Sequence, residues 1–446
     1  MTDRIRRLIV VAALTLPPAF AACSKSTEAP KIRPVLVQPY LGQGQVGLAG
    51  WAVNFRPAVK VTDSTGHAIA GAAVTFAVTG GGGSGTNLTA TTDPNGMAQV
   101  GSWTLGASAG LNTMTATVTA TGFAASQYAF VDTAVAAQYT IQIQYYGSYK
   151  PTAAESAAFT AAAARWQQMI YRHVGGPELV SDAAGTCGAG EPAVNQTVND
   201  LLILASFDSI DGPSKTLAEA SPCFVRTSGP GAGLTVMGVM KFDTADVPAL
   251  LGAGKLNVVV LHEMGHVLGF GTLWTLSSPF PTVNCLQLPS TLPGTLQDTY
   301  FSCQGGTSFA VAAFDSAGGT SYTGSGQGVP GSPTDAPPVE NCANSPYVYP
   351  TCGQGTVNGH WRTSVFVNEL MVGFLPSSPK LSRVTVASLQ DLGYTVNYAA
   401  ADAYSHTFNA PPAAGGGRLF LGDDIHHGPL YGIDPAGRIT LVRRRQ

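Results

Sequence analysis

Apolar and polar positions alternate along the first third of the chain. Val74, Phe76 and Val78 alternate with Thr75 and Thr79, and Met114, Ala116, Val118 and Ala120 alternate with Thr113, Thr115, Thr117 and Thr119. Period two places one set on a buried face and the other in solvent, which predicts strands. The runs are punctuated by turn formers: Asp63-Ser64-Thr65-Gly66, the glycines 80–83, and Asp93-Pro94-Asn95-Gly96. About seven short strands within about 100 residues predict an all-β, Ig-like sandwich over 35–135.

The pattern changes near residue 138. Tyr139, Ile141, Ile143 and Tyr145 alternate with Thr140, Gln142 and Gln144, another strand. Thr152 with Glu155 then forms a capping box, and Phe159, Ala162, Ala163, Trp166 and Ile170 recur at helical spacing. Leu201–Phe207 is a short apolar strand. The apolar run from Val258 to Phe270 predicts a buried helix that stops at Gly269, where a left-handed cap suits glycine. Strand, helix, strand and helix in this order predict an α+β domain over 138–400, followed by a Pro/Gly-rich linker and tail, 401–446. Within that tail, Tyr431–Val442 carries Asp434-Pro435-Ala436-Gly437 between two apolar stretches, a hairpin pattern.

Length agrees with several domains, since 446 residues exceed one ordinary core. Charged residues make up only 11% and the net charge is −3, which gives no electrostatic basis for nucleic-acid binding. The first residues read as an export signal, 1–23: Arg4, Arg6 and Arg7 precede an apolar stretch from Leu8 to Phe20, too short to span a bilayer. Phe20-Ala21-Ala22-Cys23 resembles a bacterial lipobox, which makes Cys23 the expected lipidated N-terminus. Residues 24–34, polar with two prolines, form a tether. The chain is therefore expected on the bacterial outer membrane or cell surface, or otherwise secreted, with the N-terminal lipid as its membrane partner. Beyond Cys23 six cysteines remain: Cys187, Cys223, Cys285, Cys303, Cys342 and Cys352. In an exported chain these imply up to three disulfides. Fifteen connectivities are open, and pairing of sequence neighbours is the expectation.

The chemistry is concentrated in His262-Glu263-Met264-Gly265-His266. Two histidines four apart share one helix face and can converge on one cation. Glu263 points about 100° away, free to act on water rather than to ligate. Imidazole ligands suit zinc, and a catalytic zinc takes three protein ligands, so a third must come from elsewhere. A histidine ten positions after the first is excluded, because that position is Thr272, and no Glu occurs between His266 and Glu340. Asp298, Asp315, His360, His406, His426 and His427 remain open on residue type alone.

Two resemblances narrow this. Val59-Lys60-Val61-Thr62-Asp63, Val74-Thr75-Phe76, Asp93 to Gly96 and Trp103-Thr104-Leu105-Gly106 resemble bacterial Ig-like domains of invasin-type surface proteins, which implies a spacer or adhesive module. The stretch from His262 to Trp274 resembles the leishmanolysin family of metzincin metalloproteases. So do Gly359-His360-Trp361, Asn368-Glu369-Leu370-Met371 and Leu389-Gln390-Asp391-Leu392-Gly393-Tyr394, as well as Ile210-Asp211-Gly212-Pro213 and Met240-Lys241-Phe242-Asp243 upstream. That resemblance implies one catalytic zinc ion held by His262, His266 and His360, with Met371 in the Met-turn beneath it and Glu263 as general base. It implies an endopeptidase acting on protein or peptide substrates. The inhibitory propeptide cysteine of the family has no counterpart, since the Ig-like module occupies that stretch. The expected architecture is an all-β Ig-like sandwich followed by an α+β metzincin-type zinc protease domain. The rival expectation is a catalytically inactive surface adhesin or binding lipoprotein on the same scaffold; a non-peptidase zinc hydrolase is a further one.

Overall fold

The computed structural model describes residues 35–121, 124–277, 280, 284–287, 299–303, 308–321, 336–341, 356–376, 378–405 and 419–444. The signal 1–23 with Cys23, the tether 24–34, Cys342, Cys352, Asp298 and His406 lie outside these residues. The described chain is mostly β, with several sheets and few helices.

The first unit holds β1 (Leu36–Leu41), β2 (Val46–Leu48), β3 (Ala58–Thr62), β4 (Ala73–Gly80), β5 (Ser84–Thr86), β6 (Thr89–Thr91), β7 (Met97–Gln99), β8 (Ser102–Thr104), β9 (Gly110–Thr119) and β10 (Ser126–Val135). A three-stranded sheet, β1-β3-β7, and a five-stranded sheet, β2-β10-β9-β4-β6, enclose one core. The alternating positions supply it: Val59 and Val61 from one sheet meet Val74, Phe76, Met114, Ala116, Val118 and Phe130 from the other, with Trp103 between. The threonines between them on β9 and β4 face outward, as period two requires. Ten strands form where about seven are expected, and two of them, β5 and β8, pair as a separate short ribbon.

The second unit begins with β11 (Ile141–Tyr146), α1 (Ala153–Met169), β12 (Glu178–Asp182), β13 (Val194–Val198), β14 (Leu201–Asp208), β15 (Ala218–Arg226) and β16 (Thr235–Asp243). It continues through α2 (Val247–Gly252), α3 (Leu256–Leu268), β17 (Leu286–Gln287), β18 (Tyr300–Phe301), α4 (Phe309–Ser316), β19 (Phe374–Leu375) and α5 (Arg383–Leu392). It ends in β20 (Leu419–Phe420), β21 (Leu430–Ile433) and β22 (Ile439–Arg443). The main sheet runs β11-β14-β16-β15-β21-β22. Its first three strands are parallel, β15 is antiparallel to β16, and β21 lies parallel to β15.

The expected hairpin at Tyr431–Val442 forms, as β21 and β22, but residues 419–444 do not behave as a detached tail. They complete the sheet. Without β21 the outer edge of β15 would carry unpaired backbone groups, and Phe224, Val225 and Arg226 find their partners in Tyr431, Gly432 and Ile433.

Helix α1 starts where the capping box places it: Thr152 Oγ1 accepts from the Glu155 amide, and the Thr152 amide donates to the Glu155 carboxylate. Its apolar stripe, Phe159, Ala162, Ala163 and Trp166, is buried. The Trp166 indole donates to Leu261 O on α3 at 2.9 Å, fixing the two helices against each other. Asp243 Oδ2 accepts from the amides of Ile210, Asp211 and Gly212, so two separate sequence blocks are one structural knot. Burial pushes the Asp243 carboxyl up, but the Ala245 amide together with those of Asp211, Gly212 and Ile210 outweighs it and holds the carboxyl below its usual range. Disulfides Cys187–Cys223 and Cys285–Cys303 are formed, both between sequence neighbours. They fit an extracellular or secreted protein. Among the described residues no helix is long and apolar enough to cross a membrane.

Candidate metal centre

Helix α3 is apolar and buried along most of its length, and Val259, Val260, Met264, Val267 and Leu268 are buried with His262, Glu263 and His266. It lies close on the sheet because Gly238 of β16 has no side chain: a Cβ there would stand 2.5 Å from Val267 Cγ1. The helix ends at Gly269, whose φ of +113° is the left-handed cap. Thr272, one turn on, donates its hydroxyl to His266 O at 2.7 Å. Tyr394, after the cap of α5, donates to Leu268 O at 2.9 Å.

His262 and His266 project from one face of this helix, and His360 arrives from the loop between Thr356 and Trp361. All three are 0% exposed. Their Nε2 atoms form a triangle with each edge 3.0 Å long. Each Nδ1 contacts a backbone carbonyl: His262 that of Leu370 at 2.8 Å, His266 that of Phe270 at 2.9 Å, His360 that of Thr356 at 3.2 Å. A carbonyl only accepts, so each Nδ1 carries the proton and each neutral Nε2 presents a lone pair. Three lone pairs aimed at one another across 3.0 Å are repulsive unless a cation lies between them. The residues therefore fit a metal ion.

A fourth donor completes the group. Asp424 Oδ2 lies 3.1 Å from His360 Nε2, 3.3 Å from His262 Nε2 and 3.9 Å from His266 Nε2. Bonds of about 2.0–2.1 Å in a tetrahedral site set ligand atoms about 3.3 Å apart; the edges between the nitrogens and those from Asp424 to His262 and His360 are close to this, and the edge to His266, at 3.9 Å, is longer. The four residues could hold a metal ion.

Glu263 is 0% exposed, and neither carboxylate oxygen has a hydrogen-bond partner among the described residues. Burial, then the charge of Asp424, raises its carboxyl well above the usual range. Burial also lowers His266 far below its ordinary value and lowers His262, which keeps both rings neutral and ready to donate lone pairs. At His360 burial acts in the same sense, but the Asp424 carboxylate outweighs it.

Met371 sits beneath the helix. Its Sδ is 2.8 Å from where a Cβ on Gly265 would stand, so the glycine in the motif makes room for it. Trp361 N donates to Met371 O, which ties the loop of His360 to this turn. Glu369 anchors the turn from inside: its carboxylate accepts from the amides of Met371 and Ser382 and from the Thr385 hydroxyl at the start of α5.

The fold thus brings together His262, Glu263, His266, His360 and Met371, the five residues singled out in the sequence. Asp315 lies on α4, outside the group. His426 pairs with Glu219 at 3.3 Å and His427 with Asp423 at 3.1 Å. Sequence reasoning missed Asp424, although the adjacent histidines were weighed as ligands. Its one sequence signal is a paired acid, Asp423-Asp424, just before His426-His427.

No family model matches the sequence. No curated protein matches it either. Eleven solved chains match in structure. One is the D00-D0 domain of intimin, 20% identical with a TM-score of 0.19, covering 24% of this chain and 50% of that one. The chain thus spans half the length of that intimin structure. A second is the ASH/PapD-like domain 7 of human CEP192, 9% identical with a TM-score of 0.18, covering 30% of this chain and 100% of that one. A third is a Bacteroides ovatus GH5 xyloglucanase in complex with a XXXG heptasaccharide, 10% identical with a TM-score of 0.16, covering 40% and 38%.

Proposed function

We propose that this chain is an exported zinc endopeptidase of the leishmanolysin type, carried on lipidated Cys23 and spaced from the membrane by its Ig-like module. His262, His266 and His360 hold the ion. Three imidazoles with a carboxylate at tetrahedral spacing favour zinc over calcium or magnesium, which take oxygen ligands in larger numbers. Bound there, zinc supplies Lewis acidity, polarising a scissile carbonyl and easing deprotonation of water. Glu263 takes the proton from the attacking water and passes it to the departing amine. The backbone carbonyls of Leu370, Phe270 and Thr356 keep each ring in the donor tautomer.

The observation that carries this reading is Glu263. A buried carboxyl with no hydrogen-bond partner among the described residues, beside three metal-directed imidazoles, is expensive to keep, and a binding site has no use for it. A single observation favours the inactive surface-binding alternative: four protein donors surround the centre, as in structural zinc sites. Glu263→Gln separates the two. Zinc content by atomic absorption is expected to stay at the wild-type level, while digestion of a protein substrate falls about 10²–10⁴-fold. Digestion by the variant that matches a measurable wild-type rate, or loss of zinc from the variant, defeats the peptidase reading.

A further inference from the structure

We propose that Asp424 is a latch: its carboxylate fills the fourth metal position, and the segment around it covers the catalytic centre, so the described structure is the latent form of the enzyme. This rests on the reading of His262, His266 and His360 as ligands of a catalytic ion. Such an ion needs one position open to water and substrate. Here the open corner of the histidine triangle is taken by Asp424 Oδ2, at 3.1–3.9 Å from the three nitrogens. All three histidines, Glu263 and Asp424 are 0% exposed, so no peptide reaches them.

The backbone of the segment reinforces the block. Ala220 N donates to Asp424 O at 2.9 Å and His426 N donates to Ala220 O at 3.1 Å, a parallel pairing along β15. Leu217 N donates to Leu421 O at 3.1 Å. An extended peptide commonly docks by adding to an exposed sheet edge, and this segment already occupies the edge of β15 nearest the metal group. Its position is fixed by particular residues. Gly422, at φ +86°, lies so close to Thr216 that a Cβ would stand 2.5 Å from Thr216 Cα. His426 reaches Glu219, and β20 pairs with β19. Asp424 therefore does not reach the centre as a loose side chain; it is presented there by a strand.

Release requires that 421–426 leave β15, a step that breaks the three backbone bonds named above together with the contacts of His426 to Glu219 and Cys187 O, of Gly422 O to Thr356 and of Asp423 N to Thr216, and frees the fourth position.

The test compares zinc-loaded wild type with Asp424→Ala and the isosteric Asp424→Asn, all full length, with circular dichroism to show that each is folded. Acetohydroxamate, a small chelating probe of an open metal position, is titrated into each, with the absorption of the Co2+-substituted proteins followed in parallel. Both variants are expected to retain the metal, to bind acetohydroxamate at least about tenfold more tightly than wild type, and to show an altered Co2+ spectrum before any probe is added. Digestion of a protein substrate is expected to rise at least about tenfold in the same variants. The latch is overturned if wild type binds the probe as tightly as the folded variants do, or if the variants lose the metal, which makes Asp424 a structural ligand. Tighter probe binding without digestion by any of the three proteins upholds the latch and sinks the peptidase reading. Digestion by wild type equal to that of the variants, with equal probe binding, does the reverse.

Discussion

Asp424 Oδ2 stands 3.1 Å from His360 Nε2, and the two residues come from segments that share no local sequence pattern. His360 enters on a loop tied to Met371, and Asp424 enters on a segment hydrogen-bonded to Ala220 of β15. The donor set of the centre is therefore assembled from three places: one helix, one loop and one edge segment.

His360 carries the first test of that assembly. With only His262 and His266 from α3, the proposed zinc ion would lack the three protein ligands that a catalytic zinc takes. His360→Ala is expected to lower zinc content sharply below that of wild type, measured by atomic absorption after gel filtration. His427→Ala, whose ring contacts Asp423 instead, is expected to leave zinc content unchanged. The reverse result would remove His360 from the ligand set.

Helix α3 owes its position to Gly238. A methyl group at this site meets Val267 Cγ1 at 2.5 Å and Ser221 O at 2.8 Å, and the carbonyl belongs to a neighbouring strand that cannot move alone. Gly238→Ala is expected to cost about 1–3 kcal/mol. In thermal unfolding this appears as a loss of about 2–4 °C per kcal/mol. A melting temperature equal to wild type would show that α3 is not held by this contact.

Glu191 makes the stability of the second unit depend on pH. Its Oε1 accepts from Cys187 N at 2.7 Å, its Oε2 has no hydrogen-bond partner among the described residues, and the side chain is almost fully buried. Burial pushes its carboxyl up to about 7, from an ordinary value of 4.5. The folded state thus holds the proton more tightly than the unfolded state. The stability it contributes is complete below the unfolded value and is lost as pH rises from about 4.5 to about 7. Glu191→Gln keeps the acceptor for Cys187 N and removes the titration. Thermal melts across this pH range are expected to show wild type falling progressively below the variant; parallel curves would rule Glu191 out as the titrating group.

Local patterns determined much of this protein. Period two along β4 and β9 fixed which side chains of the sandwich are buried, because adjacent residues of a strand must face opposite ways. The capping box fixed the start of α1. The spacing of His262 and His266 fixed a shared helix face, and Gly269 fixed the end of that helix, since the left-handed cap there is costly for any residue with a Cβ. His360 and Met371 were legible only through a family resemblance, as nothing in their spacing from His266 states where a loop returns.

Tertiary structure decided the rest. Whether Asp424 is a tail residue or a metal-directed carboxylate depends on which sheet edge is left open to its segment, and that edge exists only once β15 has paired with β16. The role of each imidazole depends likewise on carbonyls supplied by packing: Leu370 O reaches His262 across the core and leaves its Nε2 as a lone pair. Periodicity encodes the face of a single element. The meeting of distant elements is set by which backbone groups and apolar faces remain unpaired after each has formed, and no local spacing records that.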